Sequence, residues 1–158
     1  MLSVCALVSL AACSGEDPSG TAPTTTAAPT TTADPLFAAQ AEYFVLSAEI
    51  NTVRGDVWAP WPNGAPWSEL PAICAVEAPA TEAFAKGLAD FDGWPADAQD
   101  EIDAQVAVQA TYAGLLYECA DLPGTEVAQS DLWAQIEALD TSGAASATRL
   151  ALGLPIDR

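Results

Sequence analysis

The chain has 158 residues, of which 51% are hydrophobic, enough for one folded domain with a substantial core and too few for two. Its 22 acids against 4 bases give a formal net charge of −18, which repels DNA, RNA and anionic lipid headgroups; the excess serves solubility first, and it also draws cations or a basic partner. No histidine is present, so Ser-His-Asp and Cys-His nucleophiles, histidine general bases and the histidine-bearing zinc and di-iron motifs are excluded.

The chain begins MLSVCALVSLAACSG. Residues 2–12 form an apolar run too short to span a bilayer as a helix, but of the length of a signal-peptide core. The run ends in Leu10-Ala11-Ala12-Cys13, with small residues before the cysteine. This tetrad resembles the lipobox of bacterial lipoproteins. The resemblance implies that residues 1–12 are a signal peptide and that the Cys13 sulfur takes a diacylglycerol. Cleavage then leaves Cys13 as the first residue of an extracytoplasmic protein held on the outer face of the cell membrane. No Lys or Arg precedes the apolar run, where a signal peptide carries its basic region, a departure that leaves the true start open.

The cysteines follow from that compartment. Cys5 leaves with the signal and Cys13 carries lipid, so Cys74 and Cys119 remain, an even number under oxidising conditions. They are expected to pair, and the closed loop stabilises the fold by about 4 kcal/mol in the chain-entropy treatment. Two thiolates without histidine make a poor zinc site, so no metal or other cofactor is expected.

Residues 13–34 are a Thr/Ala/Pro-rich stretch that buries too little apolar area to offset chain entropy. It reads as a disordered tether, spanning roughly 25 Å as a coil and roughly 65 Å as polyproline II. Its Ser and Thr residues are candidate O-glycan acceptors.

The domain proper, residues 35–158, reads as helices. Asp34-Pro35 is an N-cap followed by proline at the first helical position. Leu36, Tyr43, Leu46, Ile50 and Val53 share a face of a first helix running to about Asp56. GDVWAPWPNGAPW follows, a hydrophobic loop stiffened by Pro60, Pro62 and Pro66. Ser68 is expected to cap a second helix that kinks or splits at Pro79 and continues through Phe84 and Leu88 to the stop at Asp92-Gly93. Pro95 starts a third helix with Ile102, Val106, Ala113 and Leu116 on its stripe, and acids crowd its first turns. After Pro123-Gly124, Ser130 caps a fourth helix whose stripe runs unbroken from Leu132 through Ile136, Leu139, Ala147 and Leu150 to Leu154. The expected fold is all-α, an antiparallel four-helix bundle braced by one disulfide. Its segment TRLALGLP, after a Trp-bearing helix, looks similar to small secreted or lipid-anchored helical proteins of actinobacteria, a group whose resemblance implies a source and no activity.

Candidate chemistry is sparse. No nucleotide-binding glycine motif occurs, and carboxylates are too common for any pair to mark a hydrolase. The acidic run DFDGWPADAQDE fails EF-hand spacing and reads as a turn before an acid-rich helix start. The remaining candidates are Trp58, Trp61 and Trp67. Pre-ordered indoles suit a partner, a sugar or a Pro-rich peptide, and they equally suit a plug over the open end of a bundle. The plug is the favoured reading, with an indole left partly exposed for binding; Trp94 and Trp133 read as packing residues. The sequence therefore points to a noncatalytic interaction or accessory module at the cell envelope, attached to the membrane by its lipid. An envelope protein or cell-wall component is the expected partner, and nucleic acid is not. The competing readings are a small-ligand carrier using the Trp loop and, more remotely, an acid-residue hydrolase.

Overall fold

The computed structural model describes residues 34–156. The expected signal peptide, Cys13 and all of the tether but its last residue lie outside the described residues.

Among the described residues every element is helical: α1 (Pro35–Trp58), a 3-10 turn (Trp67–Glu69), α2 (Leu70–Asp90), α3 (Gln99–Asp121), α4 (Gly124–Val127), α5 (Leu132–Ala138) and α6 (Thr141–Ala151). The start of α1 is set as expected, with the Asp34 carboxylate accepting from the Leu36 amide at 3.0 Å and Pro35 in the first turn. The helix runs two residues past the expected end, so Trp58 is its last residue rather than part of a loop.

α2 runs through Pro79 as one helix, which corrects the split that was one of the two outcomes expected there. Pro79 is exposed, and the other face of the helix, with Cys74, Ala78 and Thr81, is buried, so tertiary packing outweighs the missing amide. α2 and α3 form a hairpin joined twice, by residues 91–98 at one end and by the Cys74–Cys119 disulfide at the other. The disulfide spans 45 residues of sequence with Cα atoms 6.0 Å apart. α1 lies against α2, and α6 lies against α3.

The expected fourth helix is two helices. Leu139 leaves helical geometry, and the Asp140 carboxylate caps α6 by accepting from the Gly143 amide at 2.7 Å. The break turns the buried face. Thr148 and Leu152 are inside, while Leu150, expected on the core stripe, is 62% exposed. Gly153 then ends α6 at φ +67°, a left-handed position that favours glycine.

The core is divided. One apolar cluster gathers Tyr43, Ile50, Phe84, Leu88, Ile102 and Leu152. The other gathers Leu70, Ile73, Leu116, Val127, Leu132 and Ile136 around the disulfide. On α2 Thr81 stands between them in sequence, with Glu77 inside the edge of the disulfide-side cluster, and on α3 Gln105 and Gln109 stand between them, all buried. A polar seam therefore crosses the molecule at mid-height.

Candidate functional site

The seam opens at one side into a cleft of about 360 Å³. Four elements and one break build it. Arg54 and Trp58 come from the last turns of α1, Glu77 from α2 and Tyr112 from α3. Trp133 and Ile136 come from α5, and the break after it adds Leu139 and Thr141.

Glu77 is the floor, with 1% of its side chain exposed. A carboxylate so buried is tolerable only when paired and hydrogen-bonded. Arg54 Nε donates to Glu77 Oε1 at 2.7 Å, and the Tyr112 hydroxyl donates to the same oxygen at 3.1 Å. Trp58 Nε1 donates to Oε2 at 3.2 Å. Arg54 in turn donates from Nη2 to Gln109 Oε1 at 3.2 Å, and its guanidinium lies 5.3 Å from the centre of the Tyr112 ring. Burial first, then the neighbouring Glu77 charge and hydrogen bond, push the Tyr112 phenol above the usual tyrosine range, with Arg54 opposing. Tyr112 therefore stays a neutral donor, and both Glu77 oxygens are occupied.

The walls are indoles. Trp133 sits 6.4 Å from Trp58 and 6.2 Å from Trp67, ring centre to ring centre, the second pair edge to face. Trp133 Nε1 donates to the rim carboxylate of Glu137 at 2.9 Å. A smaller hollow of about 170 Å³ shares Trp58, Trp133 and Glu137 and reaches Trp67 and Gly64. Trp67 is held from below by α4. A Cβ on Gly124 would meet the Trp67 carbonyl and the Ser68 Cα, so only glycine lets the short helix approach the 3-10 turn this closely.

The three predicted tryptophans thus divide. Trp58 and Trp67 line the cleft system, with Trp67 46% exposed. Trp61 packs against the disulfide-side cluster beside Val57 and Ala65, as a plug would. Trp94 is a packing residue whose indole donates to the Leu88 carbonyl. Trp133, expected to be only packing, is the hub of the aromatic group. Arg54, Glu77, Gln109 and Tyr112 were not singled out by sequence reasoning. The sequence holds only a position for them: Glu77, Gln105 and Gln109 stand in register with the apolar stripes of α2 and α3, which alone does not tell a buried polar group from an exposed interruption.

A groove of about 380 Å³ lies elsewhere, between α2 and α3, walled mostly by alanine and Gly114, and its polar groups, Glu82, Lys86 and Tyr117, are exposed, with the Tyr117 hydroxyl donating to Glu82 at 2.7 Å. Among the described residues no three His, Cys, Asp or Glu side chains meet as a metal site, and no helix is long and apolar enough to cross a membrane. No protein-family model matches the chain, and neither a curated protein nor a solved structure is found to match it.

Proposed function

We propose that this protein is a noncatalytic binding module of the cell envelope, anchored through Cys13, with the Trp58–Trp67–Trp133 cleft as its seat for a basic partner. The carrying observation is the state of the cleft's polar groups. Glu77 accepts three hydrogen bonds and Arg54 is committed to Glu77 and Gln109, so the floor offers support rather than a proton-transfer group. What remains for a ligand is indole surface and the rim carboxylate of Glu137, inside a chain of net charge −18. That combination favours cationic side chains laid over aromatic faces. The disulfide supports an oxidising compartment. In this reading the helices make an antiparallel four-helix bundle, with α5 and α6 together in the place of the fourth helix.

A second reading, a small-ligand carrier, is favoured by the cleft's volume of about 360 Å³, within the range of small-molecule pockets. One experiment addresses both. Wild type, Trp67→Ala and Trp133→Ala are used to capture proteins from envelope extract at low and high salt. The expected result is a basic partner held by wild type at low salt and lost by both variants, with helical circular dichroism unchanged. Equal capture by all three proteins would leave the indoles as a plug and end the proposal. A saturable small molecule in the eluate, displaced in the variants, would favour the carrier.

A further inference from the structure

The smaller hollow of about 170 Å³ beside the cleft differs from it in what it offers a guest. Trp58, Trp67 and Trp133 wall it, Ala65 and buried Leu70 close it, and Glu137 stands at its rim. No two of the indoles stack face to face: Trp133 meets Trp58 at 50° and Trp67 at 84°. Ring faces are therefore left for a guest, and each face carries the negative side of the ring quadrupole. Among the described residues no Lys or Arg lines the hollow, so the faces and the carboxylate have no cation of the protein's own there. Arg54, the base of the neighbouring cleft, is held by Glu77, Gln109 and the Tyr112 ring.

Which cation fits follows from the hydrogen-bonding groups. Indoles donate and do not accept, and Trp58 and Trp133 already spend their Nε1 groups on Glu77 and Glu137. Glu137 is the single side-chain acceptor lining the hollow, and its Oε1 already takes the Trp133 bond. That donor is neutral, and among the described residues no ion pair includes Glu137, so its charge is left for a guest. A primary ammonium brings three N–H donors and a guanidinium five. Seated here, either would leave most of them without an acceptor. A quaternary ammonium has none to satisfy, and its methyl groups pack directly on ring faces. At about 30 Å³ per non-hydrogen atom the hollow holds about five or six, a nitrogen with its four carbons. The hollow is also ready-made. Pro66 stiffens the backbone ahead of Trp67, and the close approach of Gly124 fixes the Trp67 carbonyl from behind.

We propose that this hollow is a binding site for a small quaternary ammonium monocation of the choline type. The trimethylammonium head lies among the three indoles, its charge faces Glu137, and the uncharged arm points out of the mouth. A zwitterion such as glycine betaine, or a phosphocholine group, brings an anion up to Glu137 in a chain of net charge −18 and is disfavoured. The inference rests on the reading of these indoles as a cation seat and narrows it to a cation without N–H groups.

The test is calorimetric titration of the full chain with choline, ethanolamine and dimethylbutanol, the last being choline with carbon in place of nitrogen. Choline should bind saturably. Ethanolamine keeps the charge and loses the methyl groups, dimethylbutanol keeps the shape and loses the charge, and each should bind at least about tenfold more weakly. Trp67→Leu, at an indole 46% exposed, should weaken choline at least about threefold and leave dimethylbutanol unchanged. Glu137→Gln, on an exposed side chain, should weaken choline and narrow its lead over glycine betaine, with helical circular dichroism unchanged. Four results would each overturn the proposal: no saturable choline binding, ethanolamine or dimethylbutanol binding as tightly, glycine betaine or phosphocholine binding more tightly than choline, or a choline affinity indifferent to Trp67→Leu. If Trp67→Leu does not fold, the comparison of ligands on wild type still decides. Failure of choline to bind while envelope capture still depends on Trp67 and Trp133 would end this inference and leave the basic-partner reading standing. Choline binding with equal capture by all variants would do the opposite.

Discussion

Tyr112 shows how one side chain joins packing, charge and pH. Its hydroxyl is a donor to a buried carboxylate, and its ring lies against the guanidinium that balances that carboxylate. The folded-state pKa is raised above the ordinary value of 10.0 by burial and by Glu77. An acid with a raised folded pKa keeps its proton in the fold after the unfolded chain has lost it. Its contribution is therefore whole below pH 10 and is lost as pH climbs through the alkaline range, at a slope approaching about 1.4 kcal/mol per pH unit. Urea unfolding of wild type should show stability falling above pH 10, and Tyr112→Phe should show a shallower fall over the same range. An identical alkaline limb in the variant would mean that Tyr112 does not carry the effect. At this scale the sequence was only partly legible. The Asp34 cap and the cysteine pair are local or combinatorial signals and could be read directly. Glu77 and Gln105 could not, because a polar residue on an apolar stripe looks like an exposed interruption until its partner, 23 or 62 positions away, is known.

Among the elements, the α5–α6 break has the largest effect on the site. The unbroken stripe from Leu132 to Leu154 predicts one helix because both helices bury residues spaced by three and four. The interruption was nonetheless written in the chain as Asp140-Thr141-Ser142-Gly143, an N-cap residue with an amide three positions on to receive it. A period that continues through a cap hides the cap. The break shifts the phase, buries Thr148 and Leu152 in place of Leu150, and brings Leu139 and Thr141 to the cleft. Asp140→Ala should destabilise the protein by about 1 kcal/mol. It should also alter Trp133 fluorescence, since the cleft wall on α5 is positioned by the same junction. A stability within error of wild type would show that the cap does not hold the break. The long α2 is the opposite case: Pro79 suggests a boundary in sequence, and packing on both half-cores overrides it.

For the molecule as a whole, the division of the core decides how it comes apart. The fold class and the disulfide were legible because helical periodicity and cysteine parity survive averaging over the chain; the polar seam was not, because it exists only once α1, α2 and α3 are side by side. The disulfide belongs to one half-core alone. Its reduction should lower the free energy of unfolding by about 4 kcal/mol for a separation of 45 residues, measured by urea titration with and without dithiothreitol. Amide exchange in the oxidised protein should be slowest at Ile73, Cys74, Leu116 and Cys119 and faster around Ile50 and Ile102. Uniform protection across both groups would show one cooperative unit instead. The placement of Ala39 and Tyr43 in the half without the covalent brace has a mechanical corollary. Tension drawn through the chain ahead of Asp34 enters at the start of α1 and loads that half first. With the chain held through Cys13 as proposed, that half would peel away while the braced half, with its tryptophans, kept its structure, so force would open the two half-cores in order rather than together.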